Sequence, residues 1–392
     1  MRNGMAFLLL GYVLSQFYRA FLAVLAPMLA ADLGTTADGL ARASGLWFVA
    51  FALAQLPVGW ALDRFGPGRT TAVFMGVAGG GGAVLFAAAQ GPGWVTVAMV
   101  LLGVGCAPVL MACYLILARV YPAAMFATLA GAIVGAGSLG NLASAWPLAL
   151  AAETLGWRGA MAALAALTVL AAAAIWRFVE DPPPAPSAGE GSLWDILRLP
   201  AMWLILPMLA VNYAPSAGIR GLWVGPYFDE VFGASATLIG QASLVMALAM
   251  VLGNFAYGPL DRLLGTRKGV VLAGNLAGMA CLSALWVLPA GSPWAAAALL
   301  AGVGFFGASY PMLMAHGRAM FPPHLVGRGV TLMNLFAIGG VGVFQLVSAR
   351  VHSAAAAAGL GAEAAYATLF GFFALILLAG CLVYAFSRDR TD

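Results

Sequence analysis

Apolar runs long enough to cross a bilayer recur twelve times in this 392-residue chain. That recurrence limits its folds more than any motif does, because a spanning helix needs about 20 apolar residues. Such runs lie near 5–31, 40–62, 70–90, 95–118, 127–151 and 159–177, and again near 201–227, 237–260, 269–289, 294–317, 329–351 and 364–386. In hydrocarbon the backbone must satisfy its own polar groups, so runs of this kind form helices. Composition agrees: 63% of residues are hydrophobic and 8% are charged, against about 25% charged in soluble domains. This balance excludes a cytosolic enzyme, a nucleic-acid binder and a disordered chain. The expected fold is an all-α membrane protein with twelve transmembrane helices, and the bilayer is its first partner.

The first run, from Met5 to about Ala31, is too long for the apolar core of a signal peptide and is expected to remain as a helix. After the sixth run, Glu180-Asp181-Pro182-Pro183-Pro184 leads to Gly191-Ser192, a linker composition. The expected division is a six-helix bundle over 1–178, a cytoplasmic linker over 179–200 and a second six-helix bundle over 201–392. Cys106, Cys113, Cys281 and Cys381 sit in apolar runs without C-x-x-C spacing and read as small buried hydrophobes.

Charge sets the expected orientation. With the N-terminus inside, thirteen basic residues face the cytoplasm: Arg2, Arg64, Arg69, Arg119, Arg177, Arg198, Arg262, Arg267, Lys268, Arg318, Arg328, Arg388 and Arg390. Three face outward, Arg42, Arg158 and Arg350. This bias follows the positive-inside rule and accounts for the net charge of +4 without a nucleic acid. The expected location is the inner (plasma) membrane, with both termini cytoplasmic and the chain a monomer.

The halves also repeat. Asp63-Arg64 follows the second run and Asp261-Arg262 the eighth, 198 residues later. Pro122 and Pro322 are 200 apart, and Pro27 and Pro226 are 199 apart. A constant offset implies duplication of a six-helix unit in one orientation, an architecture with its substrate site between the halves. Gly59-Trp60-Ala61-Leu62-Asp63-Arg64-Phe65-Gly66-Pro67-Gly68-Arg69 resembles the loop 2–3 signature of the major facilitator superfamily. Gly258-Pro259-Leu260-Asp261-Arg262 is its degenerate echo, and Gly156-Trp157-Arg158-Gly159 also resembles that family.

The resemblance implies a secondary transporter with a cytoplasmic latch made by Gly59, Asp63, Arg64, Arg69, Asp261 and Arg262. Independently, a carboxylate such as Asp63 at a helix end can meet a helix N-terminus or a cation; plain topogenic charge is the competing reading. Two signatures of the family's antiporters are broken. Met99 stands where the span-four signature has an Arg before Gly103, and the Gly131, Gly135, Gly137 and Gly140 series lacks the Pro of the span-five signature. Both departures argue against a drug/proton antiporter.

All fourteen acidic residues fall in expected loops, termini or span ends, so a mid-membrane proton carboxylate is not expected. Two arginines, Arg19 and Arg220, do fall inside spans one and seven, 201 residues apart. Burying each costs at least about 3 kcal/mol on insertion scales. Tyr12, Gln16 and Arg19 form one polar stripe; Asn212, Ser216 and Arg220 form another, with Tyr213 beside it. Polar stripes face protein or water, not lipid. The expected reading is a pair of cationic clamps for an anion, since guanidinium suits carboxylate and phosphate. Bracing of helices through backbone carbonyls is the other reading. The resemblance supports the clamp, because organophosphate and organic-anion members use arginines in these spans.

The expected binding set adds Gln16, Tyr18, Trp47, Tyr114, Asn141, Tyr213, Tyr310 and Asn334. Ser138, Gln55 and Gln345 are further polar candidates, though a polar residue in a span more often makes a helix–helix hydrogen bond than a substrate contact. His316 reads as an interfacial histidine near a span end, His324 as a loop residue and His352 as lying near the outer surface. Met246 and Met250 resemble the M-x-x-x-M motif of a copper-importing branch, but Asn275 stands where that branch's next motif has a His. No cofactor is expected. A neutral or flavin-like aromatic metabolite, held by Trp47, Tyr114 and Tyr310, is the alternative substrate. A non-transporting membrane sensor is the alternative class; the short linker and tail leave little room for its signalling module.

Overall fold

The computed structural model describes residues 2–120, 123–181, 196–258, 260–321 and 326–390. Pro122, Pro322, His324 and the linker beyond Asp181 lie outside the described residues, as do the side chains of Arg2, Asp63, Arg119, Arg262 and Arg328.

Span one is a bent pair, Gly4–Phe17 and Leu22–Leu33, with 55° between its halves. Then come Ala37–Leu62, Pro67–Ala87 and Pro92–Leu117 as spans two to four, Ala123–Ala143 as span five and Trp146–Phe178 as span six. Spans seven to twelve are Met202–Phe232, Ala236–Tyr257, Arg267–Val287, Pro293–Arg318, Leu332–Ala357 and Ala362–Tyr384. The chain is a multi-span membrane protein, and these twelve helices are the twelve that the hydropathy pattern predicts.

Local chemistry places the starts. Thr36 Oγ1 accepts from the Gly39 amide, Thr266 Oγ1 from Gly269 and Ser292 Oγ from Ala295, caps worth about 1 kcal/mol each. Proline opens the helices at Pro67, Pro92 and Pro293, where its missing N–H costs nothing.

Three expected boundaries are corrected. Span five ends at Ala143, not near 151. The chain leaves helical geometry at Ala145 (φ −97°, ψ −119°); span six then opens at Trp146, with Pro147 in its first turn, and kinks at Gly156, where φ is +70°. Span one is not one straight helix: the Tyr18–Phe21 stretch carries short-range turns, Arg19 N–H to Gln16 carbonyl at 3.4 Å and Ala20 N–H to Phe17 carbonyl at 3.1 Å. Span seven contains a π-helical turn, Ile219–Trp223. Wide-turn segments of that kind cluster at functional sites.

Two compact units emerge: Met1–Ser187 with Ala236–Gly240, and Ala188–Ser235 with Gln241–Asp392. Inside each, backbones meet at glycine. Gly140 of span five lies on the Val13 carbonyl of span one, and Gly103 of span four on the Trp47 carbonyl of span two. In the second unit Gly340 of span eleven lies on Ala210 of span seven, and Gly304 of span ten on Met246 of span eight. Small residues are what allow membrane helices to approach this closely. Val77, Leu252 and Phe255 are among the exposed apolar side chains, as expected where the solvent is lipid.

Candidate functional site

Arg19 sits at the bend of span one. Its guanidinium carbon stands 5.0 Å from the centre of the Phe51 ring and 5.7 Å from that of Trp47. Those two rings, one helical turn apart on span two, stack at 5.3 Å with 17° between planes. The aromatic faces partly neutralise a charge held away from water. Arg19 Nε is buried and finds no hydrogen-bond partner among the described residues; the same holds for Trp47 Nε1. Trp47 is 1% exposed. Nearby on span one, Gln16 Nε2 donates to Tyr12 Oη at 2.9 Å.

Tyr18 is the neighbour of Arg19 in sequence but turns elsewhere. It is fully buried, and its hydroxyl lies 2.8 Å from Thr168 Oγ1 of span six. Helical twist and the bend together separate it from the Gln16 stripe. Tyr114 is half-buried on span four, and Asn141 is half-buried near the end of span five, its carbonyl accepting from Ser144 Oγ at 2.9 Å. Gln55 donates to the Ala107 carbonyl at 3.2 Å, a helix–helix tie.

In the second unit, Arg220 is 3% exposed and lies within the π-helical turn of span seven. That span has 72% of its most apolar window buried, against 39% for spans six and nine. Trp223, the last residue of the turn, donates from Nε1 to Ser348 Oγ at 2.9 Å. Its ring packs against His352 and Tyr366, and His352 is buried. Three expected site residues come together here: the Tyr213 and Tyr310 rings are 5.9 Å apart, and Tyr310 Oη donates to Asn334 Oδ1 at 2.9 Å.

Sequence reasoning missed a polar knot beside this cluster. Asn212 Nδ2 donates to Asn275 Oδ1 at 2.8 Å and to Ser309 Oγ at 2.9 Å, joining spans seven, nine and ten. Asn275 thus has an internal task where the copper motif has a histidine. Met246 and Met250 are buried, and both lie against Gly304. No group of three or more His, Cys, Asp or Glu suited to a metal occurs among the described residues.

The helix ends carry a second constellation. Asp181 Oδ1, just after span six, accepts from the Gly68 amide at 2.5 Å, and its other oxygen faces Arg69 Nε at 3.8 Å. Gly66 has φ +91° and a Cβ there would strike Asp181, so glycine is needed twice over. In the second unit Asp389, just after span twelve, accepts from the amides of Lys268 (3.0 Å) and Arg267 (3.2 Å) and from the Thr266 hydroxyl. Both are carboxylates at helix N-termini, where the backbone dipole favours them. Partial burial works against the Asp389 charge, yet these donors and neighbouring His316 hold its carboxyl below the ordinary range. Of the expected latch residues, Asp261 pairs with Arg267 at 3.1 Å, Arg64 lies over the Trp60 ring, and Gly59 is exposed. His316 is fully buried, 2.5 Å from Tyr384 Oη and 2.9 Å from the Arg388 carbonyl. The Gly156-Trp157-Arg158 stretch has a structural task as well: Trp157 Nε1 and Arg158 both donate to Asp32, at 2.8 and 2.9 Å.

A family model described as Major Facilitator Superfamily matches residues 8–228. Solved structures similar to the chain include a bacterial homologue of the human lysosomal transporter Spinster, inward-facing and occupied, at 16% identity and TM-score 0.74, covering 98% of this chain and 96% of that one. A D-xylose–proton symporter is similar at 14% identity and TM-score 0.76, over 98% and 97% of the two chains. The nucleoside transporter NupG is similar at 14% identity and TM-score 0.77, over 98% and 99%. At these identities the likeness shows the fold alone. No curated protein sequence matches the chain.

Proposed function

The chain belongs to the major facilitator superfamily, and from that premise we propose that it is a secondary transporter of a small anionic metabolite, working by alternating access. One observation carries the reading: each unit spoils a regular helix at its intramembrane arginine, Arg19 at a 55° bend and Arg220 in a π-helical turn. Irregular backbone at membrane depth is tolerated where it lines a cavity. Arg19 also keeps a buried donor without a partner among the described residues, and an anion would satisfy it. Gln16, Tyr114 and Asn141 are the further candidates in the first unit, and the Tyr213, Tyr310 and Asn334 cluster in the second. Tyr18 drops out of this set because its hydroxyl is engaged with Thr168.

The thirteen-to-three distribution of basic residues supports a plasma-membrane protein with both termini cytoplasmic, acting as a monomer. Asp181 and Asp389 then lie on the cytoplasmic side with Asp63 and Asp261, where they would hold one end state of a latch. The stacked Trp47 and Phe51 rings favour a second reading, a neutral aromatic metabolite. A melting-temperature screen of the purified chain against carboxylates, phosphates, nucleosides and sugars separates the two, because a ligand bound to the native state raises the melting point. Stabilisation by uncharged compounds alone would sink the anion reading.

A further inference from the structure

Deepening that reading, and resting on it, we infer that Arg19, Trp47 and Phe51 form one subsite for a planar carboxylate on an aromatic or conjugated body. The donors decide the ligand's polar group. Arg19 Nε and Trp47 Nε1 are both buried, and neither finds an acceptor among the described residues. Arginine and the indole N–H can only donate. A site with two idle donors is costly when empty of acceptors, and a carboxylate supplies two acceptor oxygens in one plane.

The walls decide the ligand's body. The Trp47 and Phe51 planes are within 17° of each other, and the guanidinium stands 5.7 and 5.0 Å from their centres. A flat group extends such a stack, whereas a puckered ring loses face contact. The duplicated frame supplies an internal control. Met246 and Met250 occupy the positions 199 residues after Trp47 and Phe51, and there the Cγ methylenes of both lie against Gly304. The repeat therefore accepts aliphatic filling at these two positions. At these two positions the aromatic pair, with the Trp47 N–H, stands in the unit that carries Arg19.

Binding of four probes to the purified full chain in nanodiscs tests this: benzoate, cyclohexanecarboxylate, phenyl phosphate and benzamide. Benzoate should bind most tightly of the four. Trp47→Phe keeps a ring and removes the N–H; it should weaken benzoate by roughly tenfold to a hundredfold, the loss of one hydrogen bond to a charged group. Phe51→Leu keeps the N–H and removes a ring, and should erase the preference for benzoate over cyclohexanecarboxylate. Unchanged melting of the ligand-free variants establishes that they are folded, and Phe51→Leu stands alone if Trp47→Phe is not. Equal binding of the two carboxylates, tighter binding of phenyl phosphate, or wild-type affinity in both variants would overturn the subsite while leaving an anion transporter intact. Binding of benzamide alone, or of no probe, would overturn the subsite, and benzamide alone would overturn the anion reading with it.

Discussion

Spans one and seven hold equivalent positions in the repeat, yet they carry their arginines in opposite ways. Span one breaks at Arg19, leaves the residue half-buried and sets its charge beside two aromatic rings. Span seven pauses only at Tyr213, widens into a π-helical turn and buries Arg220 almost completely. The difference teaches that duplication fixed where a cation stands and left its neighbourhood free to diverge. Around Arg19 the surroundings are two aromatic rings. Around the span-seven turn side chains tie helix to helix: Trp223 to Ser348, Asn212 to Asn275 and Ser309.

The largest effects should come from the arginines themselves. Arg19→Gln should lower anion affinity by about 2–5 kcal/mol, the scale for truncating a buried charged partner, with a smaller melting loss than at Arg220 because Arg19 is half-buried and Arg220 almost wholly buried. Arg220→Gln should lower both affinity and melting temperature. Paired binding and melting measurements check this, and equal melting losses would break the contrast between the spans.

Next come the two glycine seams. A methyl at Gly103 meets the Trp47 backbone, whereas one at Gly304 first meets the flexible Met250 side chain. Gly103→Ala should therefore cost about 1–3 kcal/mol by overpacking, and Gly304→Ala less, as read by denaturant titration in detergent. Trp223→Phe removes a buried hydrogen bond as well as packing and should cost about 1 kcal/mol more than Trp47→Phe, which loses packing alone.

The smallest effect sits at the helix ends. Asp389→Asn should cost about 0.3–1 kcal/mol at neutral pH, toward the lower end because water screens the site. Since the folded carboxyl is held below its ordinary value, its contribution is present above about pH 4 and fades as pH falls through the lowered value. Melting curves from pH 7 downward should show a shallower acid limb in the variant.

Much of this was legible in the chain itself. Hydropathy gave twelve spans, and the near-200 offsets gave the repeat. What escaped were features set by tertiary contact. No proline or glycine marks the bend at Arg19, so nothing local announced it. Phe51 lies one helical turn from Trp47, but an aromatic on an apolar helix carries no signal of its own. Asp181 and Asp389 looked like linker and tail charges; only packing brings them to the amides of Gly68, Arg267 and Lys268. The span-five boundary slipped because hydropathy continues past Ser144 while the backbone does not.

The seams at Gly140, Gly103, Gly340 and Gly304 have a consequence in entropy. A glycine resting on a neighbouring backbone has no rotamers to lose on docking or to regain on release. A unit joined in this way can be displaced whole without reordering its interior. The entropic cost of a change of state then falls on the side chains that exchange partners, and the helix-end carboxylates Asp181 and Asp389 are placed to be among them.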